Sequence, residues 1–477
     1  KEMGVLRSMG ALLKMNQKDG FDCPSCAWPD PDDERSKLGE YCENGIKAIA
    51  EERSKKTIGA DFFAKHSVQE LSELSDFDLI SPPRLVRLNP NVPWKTRGNG
   101  ALALVFGEGL GSKEIIGRIG QKEIFIYKNY KEKLFDKNLI LDRISKIVLQ
   151  KSKKESEPGV IVSDTYLPEG LYWQGVRGIV SKEDLDLIIS NCATFGLRGS
   201  RGLFGAACAL AWSGYHSKVR DFNFTWELIG YRDQKLWGSL RDISVESVSQ
   251  VSKLEGVFSC NDSDGKIAMV PNSPCPVLWG FRGTNNQVLI DNFQKLGPEK
   301  PVRWLLYQTN QATDDHYSFL DLLELKEGSS IWIDVNVCSK AKIIKGGHRF
   351  FKVVDSNRNK VECAVFEPSK DLRHIVDELE IGDKITICGS VNDRTVNIEK
   401  LRIIELVPRY SKPPNPVCSC GKRTHSSGKN SKYRCLSCGK KYERPSLIPL
   451  SSNLKLGWFE PPASSRRHLT KPIDLMR

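Results

Sequence analysis

From Ser330 onward the chain reads with a period of two, and that alternation limits the possible fold more than any other feature of the 477 residues. Five strand-like runs succeed one another, Ile331–Val337, Arg349–Val354, Val361–Phe366, Lys384–Val391 and Thr395–Ile404. One helical stretch, Leu372–Leu379, lies between the third and the fourth. Five short strands with a helix ahead of the fourth is the order of an OB-type β-barrel, expected over residues 326–407. Such barrels bind oligonucleotides, sugars or proteins, so the architecture alone does not choose a ligand.

The segment beyond the barrel narrows the choice. A Pro-rich linker, Ser411–Pro416, leads into Cys418-x-Cys420-Gly421 and Cys435-x2-Cys438-Gly439, joined by a polar, basic loop. Two thiolate pairs on short turns can close a tetrahedral Zn²⁺ site, and such a site can order a segment too small and polar to fold unaided. A zinc ribbon is therefore expected over 408–445, with Cys418, Cys420, Cys435 and Cys438 as ligands. The first pair is one residue shorter than the usual knuckle, which makes Cys418 the weakest of the four assignments, and His425 is a conceivable substitute. Residues 408–477 hold 15 Lys and Arg against 3 Asp and Glu, an excess equal to the net charge of the whole chain, +12. The first 407 residues are thus neutral on balance. A cationic excess confined to one end is an electrostatic footprint for a phosphate backbone. Arg423, Lys429, Lys432, Arg434, Lys440 and Lys441 are the expected RNA contacts, with Tyr433 and Tyr442 available for stacking on bases. Residues 446–477 read as a basic C-terminal tail.

Of the 14 cysteines, seven are isolated and read as small buried hydrophobes. Cys23, Cys26 and Cys42 form a second cluster, a candidate iron–sulfur or zinc set with no visible fourth ligand. No stretch reaches the roughly 18 uncharged apolar residues of a membrane helix, and no apolar segment follows the basic N-terminus as in a signal peptide. A cytoplasmic protein without membrane contact is the expectation.

Ahead of the barrel the pattern is mixed. Residues 1–80 are polar and cysteine-bearing, with helical spacing over Lys47–Glu52 and Phe62–Leu74, and Pro82 and Pro83 close the segment. Strand-like runs then appear at Ala101–Phe106, Glu123–Tyr127 and Thr225–Arg232. Ser181, with Asp184 three residues on, reads as the cap of a helix that buries Leu185, Ile188, Ile189 and Cys192. A turn, Arg198-Gly199-Ser200-Arg201-Gly202-Leu203-Phe204-Gly205, opens the small-residue helix Leu203–Trp212. Glycines let a backbone approach phosphate, a helix N-terminus supplies N–H donors, and arginines hold anionic oxygens. Arg198, Gly199, Arg201, Gly202 and Gly205 are accordingly candidate phosphate contacts, although such turns are as often only helix starts. The chain as a whole is read as multidomain α+β.

From Arg84 to about Glu443 the chain resembles the archaeal tRNA(Ile) 2-agmatinylcytidine synthetase family, TiaS. The shared words are Arg84–Gly100, Pro158-Gly159-Val160, Arg201–Ala206, Trp226-Glu227-Leu228-Ile229, Pro274–Leu278 with Arg282-Gly283, and Thr309-Asn310-Gln311-Ala312-Thr313-Asp314-Asp315-His316. The resemblance implies a kinase-like and a ferredoxin-like domain over 81–325, followed by the OB barrel and the zinc ribbon. It implies an ATP-dependent ligase that uses ATP and Mg²⁺ to activate the C2 oxygen of the wobble cytidine in an isoleucine tRNA with a CAU anticodon. Agmatine then displaces the activated group, and AUA is read as isoleucine. Within that reading Asp314, Asp315 and His316 are candidate catalytic residues and the Gly/Arg turn is the candidate ATP site. No DNA partner is expected. One departure stands out. The family opens with an Ile-Asp-Asp-Thr-Asp strand whose aspartates belong to the ATP and metal site, and this sequence lacks it. Residues 19–79 instead resemble the N-terminus of formate-dehydrogenase-like molybdopterin oxidoreductases. A non-catalytic RNA-binding protein using only barrel and ribbon is the rival expectation.

Overall fold

The computed structural model describes residues 78–92, 99–131, 136–152, 157–199, 201–214, 223–237, 239–261, 265–271, 275–426, 428 and 432–476. The helical spacing read at Lys47–Glu52 and Phe62–Leu74 lies outside them, as do Cys23, Cys26 and Cys42. The described chain forms two units: one ends at His316 and resumes at Arg467, and the other spans Tyr317–Arg466.

The first unit is built on a nine-stranded sheet. Its strands are β1 (Asp78–Leu79), β2 (Arg84–Arg87), β3 (Gly100–Ala103), β4 (Phe106–Ile119) and β5 (Lys122–Lys131), then β8 (Thr225–Tyr231), β9 (Val257–Phe258), β10 (Val277–Gly283) and β11 (Arg303–Thr309). Between β5 and β8, β6 (Gly159–Val162) and β7 (Ala193–Gly196) pair separately as a two-stranded ribbon. At the centre, β11 lies antiparallel to β8 from Arg303↔Tyr231 to Thr309↔Thr225, and its end runs parallel to β2 at Gln308↔Arg84. The expected run Ala101–Phe106 divides into β3 and the start of β4, because the chain leaves the β2 ladder after Ala103 and Val105 offers its carbonyl to Ile80. β4 is long despite its glycines. The Tyr127 ring on β5 packs so closely over Gly109 that a Cβ there would come within 2.2 Å of it.

Two apolar cores fill this unit. One joins Trp279, Phe281, Trp304, Leu306 and Tyr307 of the central strands to Val248 and Leu289 of the helices Val245–Val251 and Asn286–Asn292. The other packs Val86 and Ala101 against the helices Glu169–Arg177, Lys182–Ile188 and Gly202–Ala211. Ser181 caps the second of these by accepting from the Asp184 N–H at 3.0 Å, as its spacing suggested, and Leu185 and Ile189 are buried beneath it. The small residues of Gly202–Ala211 permit close crossing: a Cβ on Gly175 would meet the Cys208 sulfur at 2.4 Å.

In the second unit the alternation closes into a barrel. β12 (Tyr317–Ser318) precedes β13 (Ser330–Val337), β14 (Lys342–Ile343), β15 (Arg349–Val354), β16 (Lys360–Val365), β17 (Lys384–Asn392) and β18 (Thr395–Glu405), with the helix Asp371–Asp377 before β17. The order β13-β17-β18-β16-β15 returns to β13 through Val337↔Val353, so five strands close with no free edge between them. The inward positions Ile331, Val335, Phe351, Val353, Ile385, Ile387, Leu401 and Ile403 form its core. Beyond the barrel, Arg409–Ser411 pairs with Ile448–Leu450 at the base of the cysteine-bearing segment. Residues 446–477, read as a tail, contribute a strand Gly457–Phe459 on β18 and then rejoin the first unit.

Candidate functional site

The Gly/Arg turn stands at the N-terminus of the helix Gly202–Ala211, where Arg198 and Gly199 both adopt left-handed backbone, φ 52° and 103°. Ser200 lies outside the described residues. Arg201 Nε donates to Glu157 Oε2 at 2.6 Å, and its Nη2 donates to Oε1 of the same carboxylate. The hydrogen bonds from Arg201 hold the Glu157 carboxyl below the usual carboxylate range. Arg198 Nη2 donates to Ser152 Oγ at 3.2 Å. Gly202 donates its N–H to the Glu157 carbonyl and abuts the next strand, since a Cβ there would fall 2.2 Å from the Gly159 nitrogen. Gly205 leaves ordinary contact room against Ala101 and Leu88. At the far end of the helix, buried Arg84 donates from Nη1 to the Trp212 carbonyl at 2.8 Å, a cation on the negative end of the helix dipole.

The word Thr309–His316 leaves the end of β11 as an irregular loop tied on every side. Asn310 grips β2 through both amide atoms: Oδ1 accepts from the Arg87 N–H at 2.7 Å and Nδ2 donates to the Arg87 carbonyl at 2.8 Å. Nδ2 also donates to the Tyr172 hydroxyl, which in turn donates to Asp315 Oδ2 at 2.5 Å. Arg177 Nε donates to the Asp315 carbonyl at 3.0 Å. Burial in these surroundings pushes the Asp315 carboxyl up to about 6, against the opposing pull of the Tyr172 and Thr313 hydroxyls. Asp314 Oδ1 accepts the Lys471 N–H at 2.7 Å, and His316 is fully buried. The three candidate catalytic residues therefore differ: Asp315 is part-exposed and bonded to a hydroxyl, Asp314 engages main chain, and His316 is core.

Beside the loop lies a second polar group that the sequence reading passed over. Glu227, in the middle of β8, accepts from Arg282 Nε at 2.9 Å and from Gln311 Nε2, and Arg87 stands 3.9 Å away. Burial alone would raise its carboxyl, but Arg282 and Arg87 more than offset this and leave it below the ordinary value. Gly280 makes room for it, as a Cβ there would meet Glu227 Oε1 at 2.5 Å. A carboxylate amid the apolar run Trp226–Tyr231 is the signal that could have revealed it.

In the cysteine-bearing segment the Sγ atoms of Cys418, Cys420, Cys435 and Cys438 all lie within 4.8 Å of one another. Gly421 and Gly439, with φ 82° and 74°, turn the chain after each pair. Backbone N–H bonding from Cys420 and the Tyr442 hydroxyl, 3.2 Å from the sulfur, lower the Cys418 thiol to about 5. Backbone N–H groups of Cys438 and Ser437 lower that of Cys435. Four sulfurs at this spacing, two of them favoured as thiolates, fit a tetrahedral Zn²⁺ site. The short Cys418-x-Cys420 pair joins the cluster fully, and His425 is exposed on a strand outside it. Arg423, Lys432, Arg434, Lys440 and Lys441 surround it at the surface, and Lys429 lies outside the described residues.

Known proteins resemble this arrangement throughout. The chain matches the "TiaS TCKD domain" over residues 48–196, the "TiaS FLD domain" over 200–316 and the "TiaS C-terminal zinc ribbon domain" over 415–450. The TiaS of Methanocaldococcus jannaschii, a 2-agmatinylcytidine synthetase for an isoleucine tRNA, is 30% identical, over 83% of this chain and 91% of that protein. The protein of the same description from Thermococcus sibiricus is 34% identical, over 85% and 90%. Among solved structures, the complex of TiaS with its isoleucine tRNA and ATP superposes with a TM-score of 0.74 at 26% identity, covering 89% of this chain and 95% of that one. Apo TiaS, described as a tRNA agmatidine synthetase, does so at 0.70 and 26%, covering 87% and 93%.

Proposed function

The chain belongs to the TiaS family, and on that premise we propose how its parts divide the work of an ATP-dependent ligase that joins agmatine to an isoleucine tRNA. One observation carries the assignment: relatives at 30 and 34% identity with that activity in their names are matched over 91% and 90% of their length. The substrates are ATP, agmatine and the tRNA with a CAU anticodon, and ATP activates the C2 oxygen of the wobble cytidine for displacement by the agmatine nitrogen. The upstream body corresponds to the kinase-like and ferredoxin-like domains of the family, the barrel to its OB domain, and the protein acts in the cytoplasm.

Within that division we assign the ATP phosphates to Arg198, Gly199, Arg201, Gly202 and Gly205. Support comes from the helix start, the left-handed backbone at Arg198 and Gly199, and the half-exposed Arg201 guanidinium, which Glu157 keeps in one orientation. Asp315 is the member of the Asp314, Asp315, His316 trio we assign to the reacting groups. A carboxyl near 6 can take the proton released as the agmatine nitrogen bonds to C2. Mg²⁺ neutralises charge in phosphoryl chemistry. Mg²⁺ is usually held by one or two carboxylates together with substrate phosphates, and we place it on the ATP phosphates without naming a protein donor. Zn²⁺ belongs to the four cysteines. The tRNA backbone falls to Arg423, Lys429, Lys432, Arg434, Lys440 and Lys441.

The deciding experiment incubates the chain with a transcript of the CAU-anticodon isoleucine tRNA, ATP and radiolabelled agmatine. ATP-dependent label in the tRNA is expected. tRNA binding with no incorporation under any condition would leave the barrel and ribbon as an RNA-binding module alone.

A further inference from the structure

Residues 467–476, which come after the second unit, do not trail into solvent. They run along the Thr309–His316 loop and donate and accept where that loop is least comfortable. Ala312 and Asp314 both hold left-handed backbone, φ 57° and 66°, without being glycine. Non-glycine residues so placed are strained and keep their conformation only when their surroundings over-determine it. The surroundings here are the C-terminal segment. The Ala312 N–H donates to the His468 carbonyl at 2.8 Å and the Asp314 N–H to the Leu469 carbonyl at 2.9 Å. The Lys471 N–H donates back to Asp314 Oδ1 at 2.7 Å. The segment is itself anchored, since Leu469 is 2% exposed in the core shared with Tyr172 and Val176, and Arg467 donates to the Pro90 carbonyl. Asp315 comes directly after these strained positions, and its link to Tyr172 requires the loop to stay where it is.

We propose that Arg467–Met476 is a positioning strap: it holds Ala312 and Asp314 in their left-handed conformation and thereby fixes Asp315, so that turnover depends on a segment encoded beyond the zinc ribbon. This rests on the reading of the loop as part of the reaction site. Leu469 is the positioning residue that seats the strap, and it acts through the loop backbone without touching substrate.

The test uses the full chain. Leu469→Ala should lower kcat for agmatine incorporation about tenfold or more, the effect of losing one strained residue's restraint, while the KM for tRNA changes less than about twofold. Leu469→Ile should restore most of the loss. Because an alanine there also opens a cavity, Lys471→Pro provides a second variant. It removes the N–H donated to Asp314, together with the lysine side chain and the freedom of φ, without opening a cavity in the core, and should depress kcat in the same direction. In both damaged variants the amides of Ala312 and Asp314 should exchange with solvent faster, with those of β8 unchanged. Unaltered kcat, or unaltered protection of those two amides, overturns the strap. If the unmodified chain incorporates no agmatine at all, the functional reading fails. The exchange comparison then still decides whether the strap exists.

Discussion

Two irregular segments hold the residues assigned to chemistry and to zinc, and they keep their shape by opposite means. Thr309–His316 is fixed by main-chain atoms of β2 and by side chains from β8 and the helix Glu169–Arg177, all far away in sequence. The segment around Cys418 and Cys438 has almost no core: Cys418, Thr424 and Cys435 are its buried members among the described residues. Where a core exists, polar groups can be buried when partners lie within reach, as Asn310 and Glu227 are. Where none exists, thiolates and a metal replace the core and leave the surface open to cationic side chains. The first design should fail piecemeal, through single hydrogen bonds. The second should fail all at once.

The largest expected effect tests the second half of that contrast. Cys435→Ser, or a strong chelator, should release about one zinc per chain and unfold the ribbon, since structural zinc contributes on the order of 10 kcal/mol to such segments. The barrel should keep its melting transition, because its core of Ile331, Val353, Ile387 and Leu401 lies within its own strands. tRNA affinity and its steep salt dependence should fall together as the cationic surface is lost. A ribbon that stays folded without metal would break the comparison.

Next in size is Glu227→Gln. It leaves Arg282 and Arg87 facing a neutral amide in a buried setting, which typically costs about 3–5 kcal/mol. The melting temperature of the first unit should drop while zinc content stays the same. Parallel loss of zinc would mean that the two regions are not independent.

How much of this was legible beforehand obeys the same division. The barrel was readable because a half-buried strand alternates, and the structure keeps the five runs to within a residue or two and closes them in the expected order. The four cysteines were readable because ligand spacing is local; the doubt over Cys418 arose from the shortened pair, which Gly421 accommodates with its left-handed turn. The loop was recognised as a word holding the candidates Asp314, Asp315 and His316, but the contacts that fix it were not, because Tyr172, Arg177 and Glu227 reach it from 84 to 143 positions away. The Gly/Arg turn was placed at a helix start, as found, yet the partner of Arg201 is Glu157, which no local pattern links to it. β4 escaped notice because its glycines suppress the strand signal that Tyr127 restores by packing. Residues 467–476 read as a basic tail because their hold on the loop is through main-chain atoms, which composition does not register.

A smaller effect sharpens the contrast at the surface of the first unit. Arg201→Ala removes one charge-assisted contact from the assigned phosphate site, worth on the order of 1.5–3 kcal/mol, and should weaken ATP about tenfold or more. tRNA affinity and zinc content should hardly move. Unchanged ATP affinity would reduce the turn to a helix start braced by Glu157.

The last expected effect concerns protons, and it distinguishes two carboxylates within one body. Burial raises the Asp315 carboxyl to about 6, above the ordinary value near 4, so the folded state binds a proton that the unfolded chain has already released over that interval. Its contribution to stability is therefore fully present below about pH 4 and is lost as pH rises through 6, on the order of 3 kcal/mol in all. Glu227 runs the other way: its carboxyl is lowered by Arg282 and Arg87, so its contribution is present at neutral pH and disappears on acidification. Asp315→Asn, which keeps an oxygen for the Tyr172 hydroxyl, should remove only the first of these. Denaturant titrations at pH 4.5 and pH 7 should then show the variant gaining stability relative to the parent at pH 7 and little or nothing at pH 4.5. An equal change at both values would mean that Asp315 ionises in the fold as it does in water, and that the loop does not desolvate it.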